Sequence, residues 1–301
     1  MLKTLKNTSI LLISVLFGSF SAQAEDVGMT NADGLALSAN LELADGKNLA
    51  DGVVLLTHGT LAHGKMEIIV ALQEALKDRG ISSLAPTLSL GLANRTGMYD
   101  CAVPATHKHG DAMDEIGLWL DWLKGQGVKD VVLAGHSRGG NQTAWFASRN
   151  PDPVVSKVVL IAPATYDAKK AAKGFEKNHK RPLKDAMNEA QALLDAGKGD
   201  TMLKGMGVLY CPGADVTADS FVSYYRVDDR MHTPNLMGLI AKPVLVVAGS
   251  EDTVVEGLIP ATQPLVDAGK VELVVVDGAG HFFRDLYIDD VADAMETFIA
   301  Q

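Results

Sequence analysis

The sequence predicts a protein of the α/β class, with a mainly parallel sheet covered by helices on both faces. Short apolar runs typical of buried strands alternate with longer segments whose apolar residues recur at helical spacing. A Gly-His-Ser-Arg-Gly-Gly hexapeptide at residues 135–140 separates one such strand from one such helix. Two later strand-like runs, residues 243–249 and 271–276, each end in a polar turn. Polar residues that follow parallel strands meet at one edge of the sheet, where α/β proteins bind ligands.

The elements follow one another along the chain with clear turn signals, such as Asp45-Gly46 and Asp51-Gly52. Strands are predicted at residues 35–43, 53–57, 80–86, 131–134, 157–162, 243–249 and 271–276. Helices are predicted at residues 66–79, 111–124, 141–149 and about 257–268. Because most of the strand runs are continuously apolar, they indicate strands buried on both faces and therefore a mainly parallel sheet.

Ser137 is the candidate nucleophile. The pattern Gly-x-Ser-x-Gly between a strand and a helix is the signature of a nucleophile elbow, a sharp turn that exposes the serine above the sheet. Gly135 and Gly139 are expected because side chains two residues either side of the serine would clash in so tight a turn. The helix that follows aims its N–H groups at the site, which favours a developing oxyanion.

Asp252 and His281 are the candidate partners of this serine. Asp252 follows the strand predicted at residues 243–249, and His281 follows the strand predicted at residues 271–276. The order Ser, Asp, His is the order expected with a nucleophile elbow. Glu251 competes with Asp252 as the acid, and the interval up to His281 leaves room for one helix and one strand.

These motifs resemble those of the α/β-hydrolase family. The resemblance covers most of the chain and includes the elbow, the Gly-Ser-Glu-Asp turn at 249–252, the Gly-Ala-Gly-His turn at 278–281 and His58-Gly59 after an early strand. The stretch of residues 58–67 also looks like a bacterial branch of that family. The resemblance implies an α/β-hydrolase fold in which Ser137 is the nucleophile, His281 the general base and acid, and Asp252 the carboxylate that orients His281.

The same resemblance implies an oxyanion hole made by two backbone N–H groups. One belongs to Arg138, which directly follows the serine, and the other to Thr60 or, as the alternative, Leu61. His58 is interpreted as a structural hydrogen-bonding residue rather than a second base. His107, His109 and Asp111 resemble metal ligands, but no further Cys or His has zinc spacing, so we predict neither a metal nor any other cofactor.

Residues 164–241 interrupt the alternation of strands and helices, and by the family's pattern they form a lid over the active site. The expected organisation is a signal peptide at 1–24, a first core part at 25–163, this lid, and a second core part at 242–301. The first part of the lid is basic. We expect it to be either a patch that attracts an anionic substrate or a membrane headgroup surface, or a solvated helix face. Its basic residues are Lys169, Lys170, Lys173, Lys177, Lys180, Arg181 and Lys184. Tyr224-Tyr225 and the turn at 231–234 are expected either to line the pocket or to pack the lid on the body.

The N-terminus predicts secretion. Lys3 and Lys6 precede a short apolar run at residues 10–17, and Ala22-Gln23-Ala24 matches a cleavage site. The run is too short for a stable membrane span. We therefore expect cleavage after Ala24 and a soluble enzyme, located in the periplasm if the export system is bacterial, with an uncleaved anchor as the alternative.

The net charge and the cysteine content indicate which macromolecular partner is disfavoured and whether a disulfide is expected. The 301-residue chain carries a formal net charge of −10, which argues against nucleic acid as a partner. Its two cysteines, Cys101 and Cys211, are predicted to form one disulfide in an oxidising compartment, the alternative being two buried free thiols.

Three function classes remain open at this level. The leading hypothesis is a serine hydrolase acting on small-molecule carboxylic esters or thioesters. An amidase or peptidase with the same Ser137, His281 and Asp252 is the second. A binding protein on a hydrolase scaffold is the third, and the presence of all three residue types at the expected strand ends argues against it.

Overall fold

The computed structural model describes residues 24–301. The predicted signal peptide therefore lies almost entirely outside the described residues. Strands occupy β1 Glu25–Thr30, β2 Ala36–Glu42, β3 Val53–Thr57, β4 Ser83–Thr87, β5 Val131–His136, β6 Val155–Ile161, β7 Met202–Leu203, β8 Val216–Thr217, β9 Val244–Gly249 and β10 Glu272–Val276. Helices occupy α1 Glu67–Asp78, α2 Asp111–Gly125, α3 Arg138–Arg149, α4 Ala168–His179, α5 Leu183–Asp195, α6 Ala218–Tyr225, α7 Pro234–Met237, α8 Leu258–Asp267 and α9 Tyr287–Ala300.

Eight strands form one twisted sheet in the order β1-β2-β4-β3-β5-β6-β9-β10. β1 and β2 pair antiparallel, as do β2 and β4. The remaining neighbours of this sheet, in the order β4-β3-β5-β6-β9-β10, pair parallel. Every residue of β3, β5 and β9 is buried, as expected for central parallel strands whose two faces are covered by helices. The fold class predicted from the sequence is confirmed.

Two elements begin three residues away from their predicted starts, and the first strand of the sheet was not predicted. Helix α3 begins at Arg138 rather than at residue 141, because Gly139 and Gly140 continue the helix where their missing side chains let it approach the backbone of neighbouring strands. Strand β4 begins at Ser83, because Gly80 (φ 75°) turns the chain out of α1. Strand β1, which the sequence analysis did not predict, adds an antiparallel edge next to β2.

The buried apolar side chains form two clusters. The main core surrounds the sheet and includes Trp119, Leu133 and Phe298. A second core belongs mostly to the segment between β6 and β9. Its buried members include Phe175, Phe221 and Tyr224 of helices α4 and α6, together with Leu61, Tyr99 and Ala105 from outside the segment. The end of the segment joins the main core through Met231, Leu236, Met237 and Ile240.

Candidate active site

The backbone at Ser137 is a strained turn that presents the hydroxyl at the end of β5. Ser137 has φ 58° and ψ −123°, a conformation that a non-glycine residue adopts only when its surroundings impose it. A Cβ atom on Gly135 would lie 2.5 Å from Thr143 Oγ1, and one on Gly139 would lie 2.2 Å from the carbonyl oxygen of His58. Both glycines are therefore required by close approach, as the elbow pattern predicts.

The side chains of Ser137, His281 and Asp252 form a continuous hydrogen-bonded chain. Strands β9 and β10 are parallel neighbours, so the turns that carry Asp252 and His281 lie side by side. His281 Nδ1 lies 2.7 Å from Asp252 Oδ2, and His281 Nε2 lies 2.9 Å from Ser137 Oγ. The His281 and Asp252 side chains are only 5% and 4% exposed, so the pair is shielded from water.

The environment of Asp252 keeps its carboxylate ionised and able only to accept hydrogen bonds. Burial acts to raise its pKa, but the hydrogen bond and charge of His281 and the backbone N–H groups of Val254 and Val255 outweigh it and hold the pKa below the usual value. Nδ1 of His281 therefore carries the proton that Asp252 accepts, which leaves Nε2 as the acceptor for the Ser137 hydroxyl. Glu251, the competing acid, is solvent-exposed.

His136 holds the backbone of the turn that carries His281. Its Nε2–H donates a hydrogen bond to the backbone oxygen of His281 at 2.9 Å. Burial, followed by the charge of His281, lowers the pKa of His136 to about 3, so the ring is neutral near pH 7. No role was predicted for His136 from the sequence, although its position directly before Ser137 was the available signal.

The two candidate oxyanion residues lie close to each other and to the serine. A Cβ atom on Gly59 would lie 3.2 Å from Ser137 Cβ, so the loop after β3 passes against the nucleophile. Arg138 Nε donates to Thr60 Oγ1 at 3.0 Å. Leu61, the alternative donor, has φ 56° and belongs to the turn closed by the hydrogen bond from the Ala62 N–H to the Gly59 oxygen.

His58 is held as a neutral, fully buried side chain. Its Nε2 accepts the backbone N–H of Leu88 at 3.0 Å, so the proton is on Nδ1, which faces the Gly59 oxygen at 2.8 Å. Burial, and secondly the charge of Arg95, lowers its pKa to about 3. These contacts fit the structural role expected for His58 and leave it no free nitrogen to act as a base.

A cavity of about 610 Å³ lies beside the triad, between the segment 164–241 and the body. Two residues of its wall are direct sequence neighbours of the Ser137–His281–Asp252 triad. They are Arg138, which follows Ser137, and Thr253, which follows Asp252. The segment contributes Tyr224, Tyr225, Met231 and His232 to its wall, so the aromatic pair and the 231–234 turn line the cavity as well as packing the segment.

The lysines predicted as a basic patch do not converge on this cavity. Lys169, Lys173, Lys177, Lys180 and Lys184 are solvent-exposed. Lys170 reaches the cavity rim, where it forms an ion pair with Glu256. Apart from Lys170, these lysines therefore lie on the surface away from the cavity.

The histidines with metal-like spacing make hydrogen bonds to protein side chains. His107 Nδ1 lies 2.6 Å from the hydroxyl of Tyr224, and His109 Nε2 lies 3.1 Å from Asn141 Oδ1. Across residues 24–301, no three His, Cys, Asp or Glu side chains are grouped so as to hold a metal ion.

Cys101 and Cys211 form a disulfide between the loop preceding α2 and the second core. Cys211 is fully buried. A short backbone link lies nearby, in which the Ala105 N–H donates to the Asp215 oxygen and the Thr217 N–H donates to the Ala105 oxygen. Together they attach the segment to the body beside the cavity.

Comparison with models of protein families identifies the family to which the chain belongs. The model of the alpha/beta hydrolase family matches residues 53–294, which include Ser137, Asp252 and His281. The chain belongs to the alpha/beta hydrolase family. No curated protein sequence matches it significantly. In the described part of the chain, residues 24–301, none of this family member's helices has the length and apolar character needed to span a bilayer.

Solved structures of other proteins share the fold of this alpha/beta hydrolase. Est1E from Butyrivibrio proteoclasticus is 20% identical, with a TM-score of 0.61 over 91% of this chain and 97% of its own. An esterase from Pyrococcus furiosus, Pf2001, is 18% identical, with a TM-score of 0.61 over 98% and 97%. The alpha/beta hydrolase GrgF from Penicillium sp. sh18 is 17% identical, with a TM-score of 0.60 over 92% and 97%. At these identities the likeness establishes the fold.

Proposed function

We propose that the protein is a secreted serine hydrolase that cleaves carboxylic esters or thioesters through an acyl-enzyme intermediate. Ser137 is the nucleophile, His281 the general base and then acid, and Asp252 the residue that orients His281. The backbone N–H groups of Arg138 and Thr60 stabilise the oxyanion. The observation that carries the proposal is the hydrogen-bonded chain from Ser137 Oγ through His281 to Asp252 in a member of the alpha/beta hydrolase family.

The geometry supports a complete proton pathway. As Ser137 Oγ attacks the acyl carbonyl, its proton passes to His281 Nε2, and Asp252 stabilises the resulting imidazolium. The carbonyl electrons move onto the oxygen, which the two N–H groups bind. When the tetrahedral intermediate collapses, the bond to the alcohol or thiol breaks and His281 returns the proton to that leaving group. Water, deprotonated by His281, then releases the acid and regenerates Ser137.

Esters and thioesters are favoured as substrates by the enzyme's family and by the printed descriptions of similar folds. Est1E has also been solved with ferulic acid bound, and Pf2001 is described as an esterase. The cavity beside Ser137 has room for a small-molecule acyl or alcohol group.

The test is covalent labelling combined with matched serine variants. A fluorophosphonate should label wild-type protein at Ser137, and Ser137→Ala should lose both labelling and turnover of p-nitrophenyl esters. Ser148→Ala is the control, because Ser148 lies on the same helix α3 and its hydroxyl donates to the Trp145 oxygen of that helix. A panel of graded esters beside anilides and peptides separates esterase from amidase activity. Ester turnover that survives Ser137→Ala at a comparable rate would reject the proposal.

Secretion is tested separately. Expression of the full chain in a Gram-negative host, followed by N-terminal sequencing of the periplasmic fraction, should find Glu25 as the first residue. Recovery of uncleaved protein in the membrane fraction would instead support an anchor.

A further inference from the structure

The side chain of Arg138 occupies the wall of the cavity beside the nucleophile. It is half-buried and lies between the loop of Thr60 and helix α6, with its guanidinium carbon 5.5 Å from the ring centre of Tyr224. Its Nε bonds Thr60 Oγ1, and its Nη1 lies 3.2 Å from His109 Nδ1. A substrate bound at Ser137 would therefore lie next to a fixed positive charge.

The orientation of this guanidinium is determined by a chain of hydrogen bonds. The amide nitrogen of Asn141 donates to the Arg230 oxygen and to Thr233 Oγ1, so its Oδ1 faces His109. His109 Nε2–H donates to that oxygen, which leaves His109 Nδ1 as the acceptor for Arg138. Burial, and secondly the charge of Arg138, lowers the pKa of His109 to about 3, so this acceptor remains neutral near pH 7.

Arg138 has only neutral partners among the residues described, in contrast to the three arginines that form ion pairs. Arg79, Arg181 and Arg230 each form an ion pair with a carboxylate. Within residues 24–301, Arg138 has no carboxylate within ion-pair distance, and its partners are a hydroxyl, a neutral imidazole and an aromatic ring. A guanidinium has five N–H donors, and two of them are used here. Donors and charge therefore remain available to a ligand in the cavity.

We propose that Arg138 binds a carboxylate carried by the substrate, so that the preferred substrates are anionic esters, such as half-esters of dicarboxylic acids. This proposal rests on the hydrolase function proposed above. A planar guanidinium matches a carboxylate in shape and charge, and its half-buried position strengthens the pairing relative to open solvent. A half-buried charge without a partner of opposite charge is unfavourable, and the substrate carboxylate would supply that partner to the Arg138 guanidinium.

The test compares charged and neutral esters of the same length. On the acyl side, mono-(p-nitrophenyl) glutarate is paired with p-nitrophenyl valerate. On the alcohol side, 4-acetoxybenzoate is paired with its methyl ester. The readout is the ratio of kcat/KM for the anionic to the neutral member of each pair, in wild type and in Arg138→Gln. Because Arg138 also contacts the Thr60 loop, a general loss of activity affects both members and cancels in the ratio.

In Arg138→Gln the ratio should fall about tenfold or more for at least one pair, as expected for loss of a hydrogen bond to a charged group. Arg138→Lys should retain part of the preference, and Arg149→Gln, an exposed position at the end of the same helix, should leave the ratio unchanged. High salt should reduce the wild-type preference.

The result separates this inference from the proposed function. If wild type is labelled at Ser137 and hydrolyses the neutral esters, but the ratios of both pairs are unchanged by Arg138→Gln, the carboxylate role is wrong and the hydrolase function stands. If no ester is hydrolysed and Ser137 is not labelled, the hydrolase function itself fails, and this inference fails with it.

Discussion

The sheet body and the second core are held together in different ways. In the body, Ser137, Asp252 and His281 follow strands β5, β9 and β10, which are held by backbone pairing to neighbouring parallel strands. The second core contains helices and the two-residue strands β7 and β8. Side-chain packing, one disulfide and the short backbone link through Ala105 hold it together. From this difference we expect the body to determine whether chemistry occurs and the second core to contribute to the shape of the cavity in which it occurs.

The largest expected effect comes from breaking the catalytic chain in the body. His281→Ala should be nearly as damaging as loss of Ser137, because the members of such a chain act as a unit. Asp252→Asn should lower kcat by about 10⁴-fold, as in serine proteases, because the asparagine favours the wrong tautomer of His281. Ester turnover measures the loss, and urea unfolding checks that the variant is folded.

Glu251→Gln is the matched control for Asp252→Asn, since it removes the neighbouring carboxylate without touching His281. A larger loss of activity in Glu251→Gln than in Asp252→Asn would assign the acid to Glu251.

The second prediction concerns the disulfide that joins the two regions. The bond closes a loop of 110 residues, for which the chain-entropy model gives an upper value of about 4–5 kcal/mol. Reduction, or replacement of Cys101 and Cys211 by serine, should lower the melting temperature and broaden acyl-chain selectivity before turnover is lost. Two free thiols in denatured, unreduced secreted protein would contradict the disulfide, and unchanged selectivity after reduction would contradict its effect on the cavity.

The third prediction compares equivalent truncations in the two cores. Val216 of β8 and Val158 of β6 are both fully buried, in the second and the main core respectively. Each change to alanine removes two buried carbons and should cost about 2 kcal/mol of unfolding free energy. Val216→Ala should also alter the preference among acyl chains, whereas Val158→Ala should not. Equal changes of preference would show that the two cores do not divide the tasks.

The smallest predicted effect is a pH dependence carried by His107, which joins the two regions through Tyr224. Burial, followed by the charges of Arg95 and Arg138, lowers its pKa to about 4, whereas in the unfolded chain it titrates near 6.5. The unfolded state therefore binds more protons as pH falls from 6.5 towards 4, and stability decreases over that window and levels off below it.

His107→Gln should remove this histidine's share of the acid destabilisation, about 1 kcal/mol between pH 6.5 and 5.5. Urea midpoints at the two pH values measure it. If the difference between the two midpoints is as large in His107→Gln as in wild type, His107 does not carry the effect.

The candidate site could be located from the sequence because its residues occupy positions tied to backbone geometry. Gly135 and Gly139 are required by close contacts around Ser137. Asp252 follows the buried strand β9, and His281 follows β10, an edge strand whose apolar run was recognisable in the sequence. His136 and Asn141 were missed, since their roles consist of single hydrogen bonds to partners distant in sequence. No local pattern encodes such contacts.

The sequence by itself determined the α/β class, the family and the order of serine, acid and histidine, because these depend on periodicity and on short motifs at strand ends. Only the tertiary structure decided that the basic helix face points to solvent and that Arg138 lines the cavity with neutral partners. Helical spacing predicts which residues share a face but not what that face meets. The partners of a charge are set when distant segments pack together, and that depends on the whole fold.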